Sequence, residues 1–107
     1  MNESKRYLYV GFFCNLVIEK ALKAHYEFRM NKIPPYIHNL RLLAEHSEIY
    51  SKFSEQQKDF IDKLQPLNIQ ARYPSYKDEI YKSLNSDICN TLIEETKELG
   101  SIIILNR

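Results

Sequence analysis

The chain has few of the residues that build turns: two glycines and four prolines in 107 residues. An all-β fold needs turn signals about every ten residues, so that class is excluded. Cysteine is scarce too. Cys14 and Cys89 stand alone, each beside apolar residues in a helical pattern. Two cysteines fit buried thiols in a reducing cytoplasm better than a disulfide. Cys14, His25, His38, His46 and Cys89 form no close pair of pairs, so no metal site is expected. Long apolar runs are missing, the longest being the four residues Ile102–Leu105. With no charged-then-apolar leader either, neither export nor a membrane span is expected. The formal net charge is only +1. No global field recruits nucleic acid, so any such contact must come from a local patch. The sequence also lacks G-x-x-x-x-G-K, G-x-G-x-x-G and G-x-S-x-G, which removes the common nucleotide-cofactor and hydrolase frameworks. No cofactor is expected.

What remains is an ordinary globular balance, 44% apolar and 27% charged, in a length that suits one domain over 1–107. Its periodicity is helical. Residues 4–30 read as one long helix, with Phe13, Val17, Ala21, Ala24 and Phe28 on an apolar stripe that Tyr9, Phe12 and Leu16 widen. Gly11 interrupts this helix, and Pro34-Pro35 closes the turn after it. A second helix is expected from Asn39 to Tyr50, capped by His38 or Asn39. Ser54 opens a third, with Gln57 completing an S-x-x-Q capping box and Pro66 expected to kink or end it near Gln65. Leu67–Tyr81 reads as a functional loop with at most a short helix. The last helix is expected from Asn85 to Leu99, with Leu105 as its outer limit and Gly100 as a point where it frays or ends. The expected architecture is an all-α, antiparallel (up-and-down) bundle of four to five helices.

Three fragments carry a resemblance: GFFCNLVIEKALKAHYEFR (Gly11–Arg29), PPYIHNL (Pro34–Leu40) and ARYPSY (Ala71–Tyr76). In this order and at these separations they resemble the HEPN family, named for higher-eukaryote and prokaryote nucleotide binding, over about residues 7–99. The resemblance implies a HEPN-like bundle of the type associated with small, MNT-type nucleotidyltransferases in prokaryotes, in some cases as toxin–antitoxin pairs. Its usual extra N-terminal helix looks short or missing here. That would leave an apolar groove along the long helix, and a homodimer is expected to fill it.

Three functions compete. The first is a non-catalytic module that binds a nucleotide or phosphate and partners such a nucleotidyltransferase. Its ligand residues would be Glu19, Lys20, His38, Asn39, Arg72, Tyr73 and Tyr76. A helix N-terminus and an arginine fork suit a phosphate, and tyrosine rings suit a base. The plainer reading of the same set is a capping His38, an Arg72 paired with Glu19 or Asp78, and packed tyrosines. The second function is an endoribonuclease acting on RNA. Many HEPN ribonucleases carry R-x(4–6)-H, and Arg41–His46 is a literal match. That match falls earlier in the chain than the family motif does. At the better positional counterpart, Arg72, no histidine follows to serve the cleavage. The third function is a structural helical dimerisation protein.

Overall fold

The structure, a computed structural model, describes residues 3–72 and 86–105, with residues 3–6, 8, 66 and 68–72 described by their backbone alone. Four helices account for nearly all of it: α1 (Glu3–Met30), α2 (Leu40–His46), α3 (Glu55–Arg72) and α4 (Ser86–Leu105). A 3-10 turn at Tyr50–Lys52 joins α2 to α3, and no strand occurs among the described residues. The fold is an all-α bundle, as the periodicity predicts.

The helix ends follow from local chemistry. Asn31 stops α1 with φ 54°, and its N–H donates back to the Glu27 carbonyl at 2.9 Å. Asparagine tolerates this left-handed geometry better than most residues. Asn39 caps α2, its Oδ1 accepting from Leu42 N at 3.0 Å. Only one of the two caps foreseen, His38 or Asn39, does this work. The second helix ends at His46, short of Tyr50, in a Schellman motif. Ile49 N donates to Ala44 O, Glu48 N donates to Glu45 O, and Glu48 takes φ 65°. The capping box that opens α3 forms in both directions: Gln57 N donates to Ser54 Oγ at 3.2 Å, and Ser54 N to Gln57 Oε1 at 2.8 Å.

One expected helix end proves to lie inside a helix, and the last helix reaches the outer limit expected for it. α3 runs through Pro66 to Arg72, so Leu67–Arg72 is helix, not loop. A mid-helix proline costs about 3 kcal/mol. Burial of Phe60, Ile61, Leu64 and Leu67 offsets it. Asn15 also donates its Nδ2 proton to the Leu64 carbonyl at 2.8 Å, tying α3 to α1 just before the proline. α4 passes Gly100 and ends at Leu105, that outer limit.

Helix α1 is the central element, and both α3 and α4 pack along it. Asn15 meets Leu64 and Gly11 faces Leu67, so α3 runs antiparallel to α1. A methyl group at Gly11 would stand 3.0 Å from Leu67 Cδ1, which explains the small residue. α4 runs parallel to α1. The Cys89 thiol points to the Tyr7 carbonyl at 3.8 Å, 82 positions apart, and Cys14 meets Thr96 at the same offset. Burial raises the pKa of both thiols, which keeps them protonated and unreactive. In Cys14, Thr96 opposes that rise; in Cys89, nearby Cys14 adds to it.

The core corrects one expectation. The buried face of α1 is Cys14, Ile18 and Leu22, together with Asn15, Glu19 and His25. The stripe expected to form the core lies mostly outside: Phe13, Val17 and Phe28 are 61%, 51% and 63% exposed. Ala24 is exposed as well, and Ile88 lies 39% exposed at the rim of α4. α1 is apolar on two faces. The bundle uses the one on which polar side chains meet buried partners.

Candidate functional site

The second half of α1 and the segment that precedes α2 build a polar corner around a buried carboxylate. Glu19 projects from the inner face of α1 and is 2% exposed. A carboxylate so placed needs charged or hydrogen-bonding partners. It has two. His38 Nδ1 lies 2.9 Å from Glu19 Oε1, and Lys23 Nζ lies 3.6 Å from Oε2 one helical turn on. The imidazole therefore carries its proton on Nδ1 and donates it to the carboxylate. Nε2 makes no hydrogen bond among the described residues.

The backbone at His38 is held from below. Gln65 of α3 donates Nε2 to the His38 carbonyl at 3.3 Å and accepts from Leu40 N, through Oε1, at 2.7 Å. This reciprocal clip fixes the start of α2 against α3. It also changes what the start of α2 offers a ligand. Leu40 N is taken by Gln65 and Leu42 N by Asn39, so two N–H groups expected to be free for a phosphate are occupied.

Tyr36 completes the corner. Its ring meets the His38 ring edge-on, with centroids 5.3 Å apart, and Lys23 Nζ lies 5.7 Å from its centre. The Tyr36 side chain is otherwise 89% exposed. An exposed ring beside an ammonium and an oriented imidazole can stack a base while a cation meets a phosphate.

Of the residues expected in the site, Glu19 and His38 are in direct contact, and Asn39 stands beside them as the α2 cap. Lys20 is not with them. It lines a groove with Ala21, Ala24, His25, Ile103 and Ile104 on the α4 side of α1. One residue on a helix turns the side chain by about 100°, enough to separate Lys20 from Glu19. The lysine that does join is Lys23, which the i, i+4 spacing from Glu19 could have revealed. Tyr36 and Gln65 were also missed. Tyr36 sits inside the PPYIHNL fragment, but nothing in the sequence marks Gln65. Tyr73, Tyr76 and the Arg72 side chain lie outside the described residues. The Arg72 backbone closes α3, seven residues past Gln65, about 10 Å further along the axis.

The literal R-x(4)-H match does not form a pair within the subunit. Arg41 Nε donates to Glu45 Oε1 at 2.9 Å and the guanidinium covers the Tyr50 ring at 5.4 Å. The Glu45 hydrogen bond raises the Arg41 pKa still further. His46, five residues on, points about 140° away around α2. No group of three or more metal-ligating side chains occurs among the described residues. No described helix is long and apolar enough to cross a membrane.

No curated protein and no solved structure matches the chain. The HEPN domain family description matches residues 1–104, nearly the whole length. That match agrees with the all-α bundle: the chain belongs to the HEPN domain family.

Proposed function

We propose that this chain is a non-catalytic HEPN module that binds a nucleotide or another phosphate-bearing ligand at the Glu19–Lys23–Tyr36–His38 corner. In this reading it acts as the homodimeric partner of a small nucleotidyltransferase in a prokaryotic cytoplasm, as one half of a toxin–antitoxin pair. The observation that carries it is the exposed Tyr36 ring held beside Lys23 and an imidazole that a buried carboxylate orients. Glu19 balances much of the Lys23 charge, so the ligand's charge must be met by a further cation. Arg72, the last residue of α3, is the residue we assign to it.

The test is calorimetric titration with ATP and GTP. Base stacking contributes about 1–3 kcal/mol per base, so Tyr36→Ala should weaken binding about five-fold or more. Equal affinity of wild type and Tyr36→Ala would remove Tyr36 from the site. No binding of either nucleotide by the wild type would count against the reading itself.

A second reading has one observation in its favour. The carboxylate–imidazole pair leaves Nε2 without a hydrogen bond among the described residues, the arrangement a general base uses. RNA supplies its own nucleophile, the 2′-hydroxyl, so a base and a cation could suffice for cleavage. Under the binding reading, purified protein leaves short RNA intact without added metal. Cleavage lost in His38→Ala would favour the ribonuclease reading through His38. Cleavage lost in His46→Ala would favour Arg41 and His46 instead.

A further inference from the structure

The charges at the polar corner balance only while His38 is neutral. Glu19 is 2% exposed and meets both His38 Nδ1, at 2.9 Å, and Lys23 Nζ, at 3.6 Å. One carboxylate offsets one cation, and Lys23 is that cation. A protonated His38 adds a second positive charge beside the first. The charged or titratable groups that the described residues hold around His38 are Glu19 and Lys23 from α1 and the Tyr36 ring from its own segment. α3 meets it through the uncharged Gln65 amide, and the uncharged Asn39 follows it as the α2 cap. None of these supplies a second anion.

A phosphate-bearing ligand supplies one. Nδ1 is spent on Glu19, so Nε2 is the ring nitrogen left for a ligand, on a side chain 35% exposed. A neutral ring with its proton on Nδ1 offers Nε2 only as an acceptor. Ionised phosphate oxygens are acceptors too, so the neutral ring and a phosphate have no hydrogen bond to share. An imidazolium removes the mismatch. It donates from both nitrogens, from Nδ1 to Glu19 and from Nε2 to the phosphate, and both bonds are charge-assisted. Histidine is the side chain suited to this change, since its ordinary titration falls between about pH 5 and 8. The Gln65 clip holds the His38 carbonyl, not the ring, so it serves either protonation state.

We propose that the corner takes up a proton as it binds its phosphate-bearing ligand, His38 being neutral in the free protein and, in the complex, an imidazolium that donates from Nε2 to a phosphate oxygen. This rests on the nucleotide-binding reading of the corner and adds a dependence on pH to it. The proton comes from solvent and is taken by the Nε2 lone pair; no other bond changes. The complex holds the proton more tightly than the free protein does, so affinity is greatest at low pH and is lost as pH rises. One proton per ligand makes that loss about tenfold per pH unit where the free ring is neutral and the bound ring is charged.

Two measurements on the full chain test it. Calorimetric titration with ATP from about pH 6 to 8, in buffers of different ionisation enthalpy, reads the affinity and the protons exchanged. A terminal phosphate titrates in the same range, so the wild type is compared with His38→Asn. The asparagine amide can stand where Nδ1 stands, which keeps a donor for Glu19, and it takes up no proton. The wild type should take up more protons per ATP than the variant, by up to about one, and its affinity should fall with pH more steeply, by up to about tenfold per unit. Equal uptake by the two would overturn the proposal. The second measurement needs no variant: the ring nitrogen shifts of nitrogen-15-labelled wild type should show His38 neutral without ATP and charged with it. A His38 ring neutral in both states, or charged in both, would overturn proton uptake and leave nucleotide binding standing. No binding of ATP at any pH would overturn the nucleotide-binding reading and proton uptake together.

Discussion

Replacing Glu19 with alanine lowers the midpoint of thermal unfolding by about 12–24 °C. The carboxylate is buried and answers two partners, His38 at 2.9 Å and Lys23 at 3.6 Å. Removing one member of a buried pair costs about 3–5 kcal/mol, largely because the charge left behind has no counterpart. The partners here keep some access to water, the His38 and Lys23 side chains being 35% and 17% exposed. Solvent screening therefore places the cost near the lower end, about 3 kcal/mol. Each kcal/mol shifts the midpoint of a domain this size by about 4–8 °C. Glu19→Gln separates the contributions. It keeps an acceptor for the Nδ1 proton while losing the charge, so it should fall between wild type and alanine. Differential scanning calorimetry of the three proteins checks the order. An alanine variant as stable as the wild type would mean that Glu19 is not the anchor of the corner.

Arg72→Ala weakens binding of a phosphate-bearing ligand by about 10- to 150-fold. A hydrogen bond from a charged group contributes about 1.5–3 kcal/mol, and an arginine fork can make two. The unfolding midpoint should barely move, since Arg72 is the last residue of α3. Titration with ATP and with inorganic pyrophosphate reads the loss. If the anion contact is Arg72, both ligands weaken together. Unchanged affinity for both would return the role to Lys23 alone.

The helices were legible in the sequence because their signals are local. Ser54 and Gln57 sit three apart and close on each other, and Asn39 caps α2 with its own side chain. The inner face of α1 was not legible, for a physical reason. An amphipathic reading looks for a purely apolar stripe and finds Phe13, Val17 and Phe28. The face that is buried includes Asn15, Glu19 and His25, residues such a reading places in water. Asn15 and Glu19 can be buried because distant partners meet them. Leu64 and His38 lie 49 and 19 positions away from Asn15 and Glu19 respectively. Pro66 misled in the same way, since a local rule ends the helix where tertiary contacts carry it on to Arg72.

The site was legible in halves. Glu19 and His38 came from the family pattern and prove to touch. Lys20 lines the groove toward α4, while Lys23, three positions on, is the lysine that meets Glu19. Gln65 left no trace in the sequence because its work is to complete two backbone groups at the start of α2, 27 and 25 positions away. A glutamine in an exposed-looking helical register gives no hint of that.

The most direct measurement is an amide chemical-shift map of the labelled protein titrated with ATP. A nucleotide bound at the corner predicts the largest shifts at Lys23, Tyr36, His38 and Asn39, with Gln65 following through its clip on the His38 carbonyl. Shifts confined to Arg41–His46, or no shifts at millimolar ATP, would contradict it.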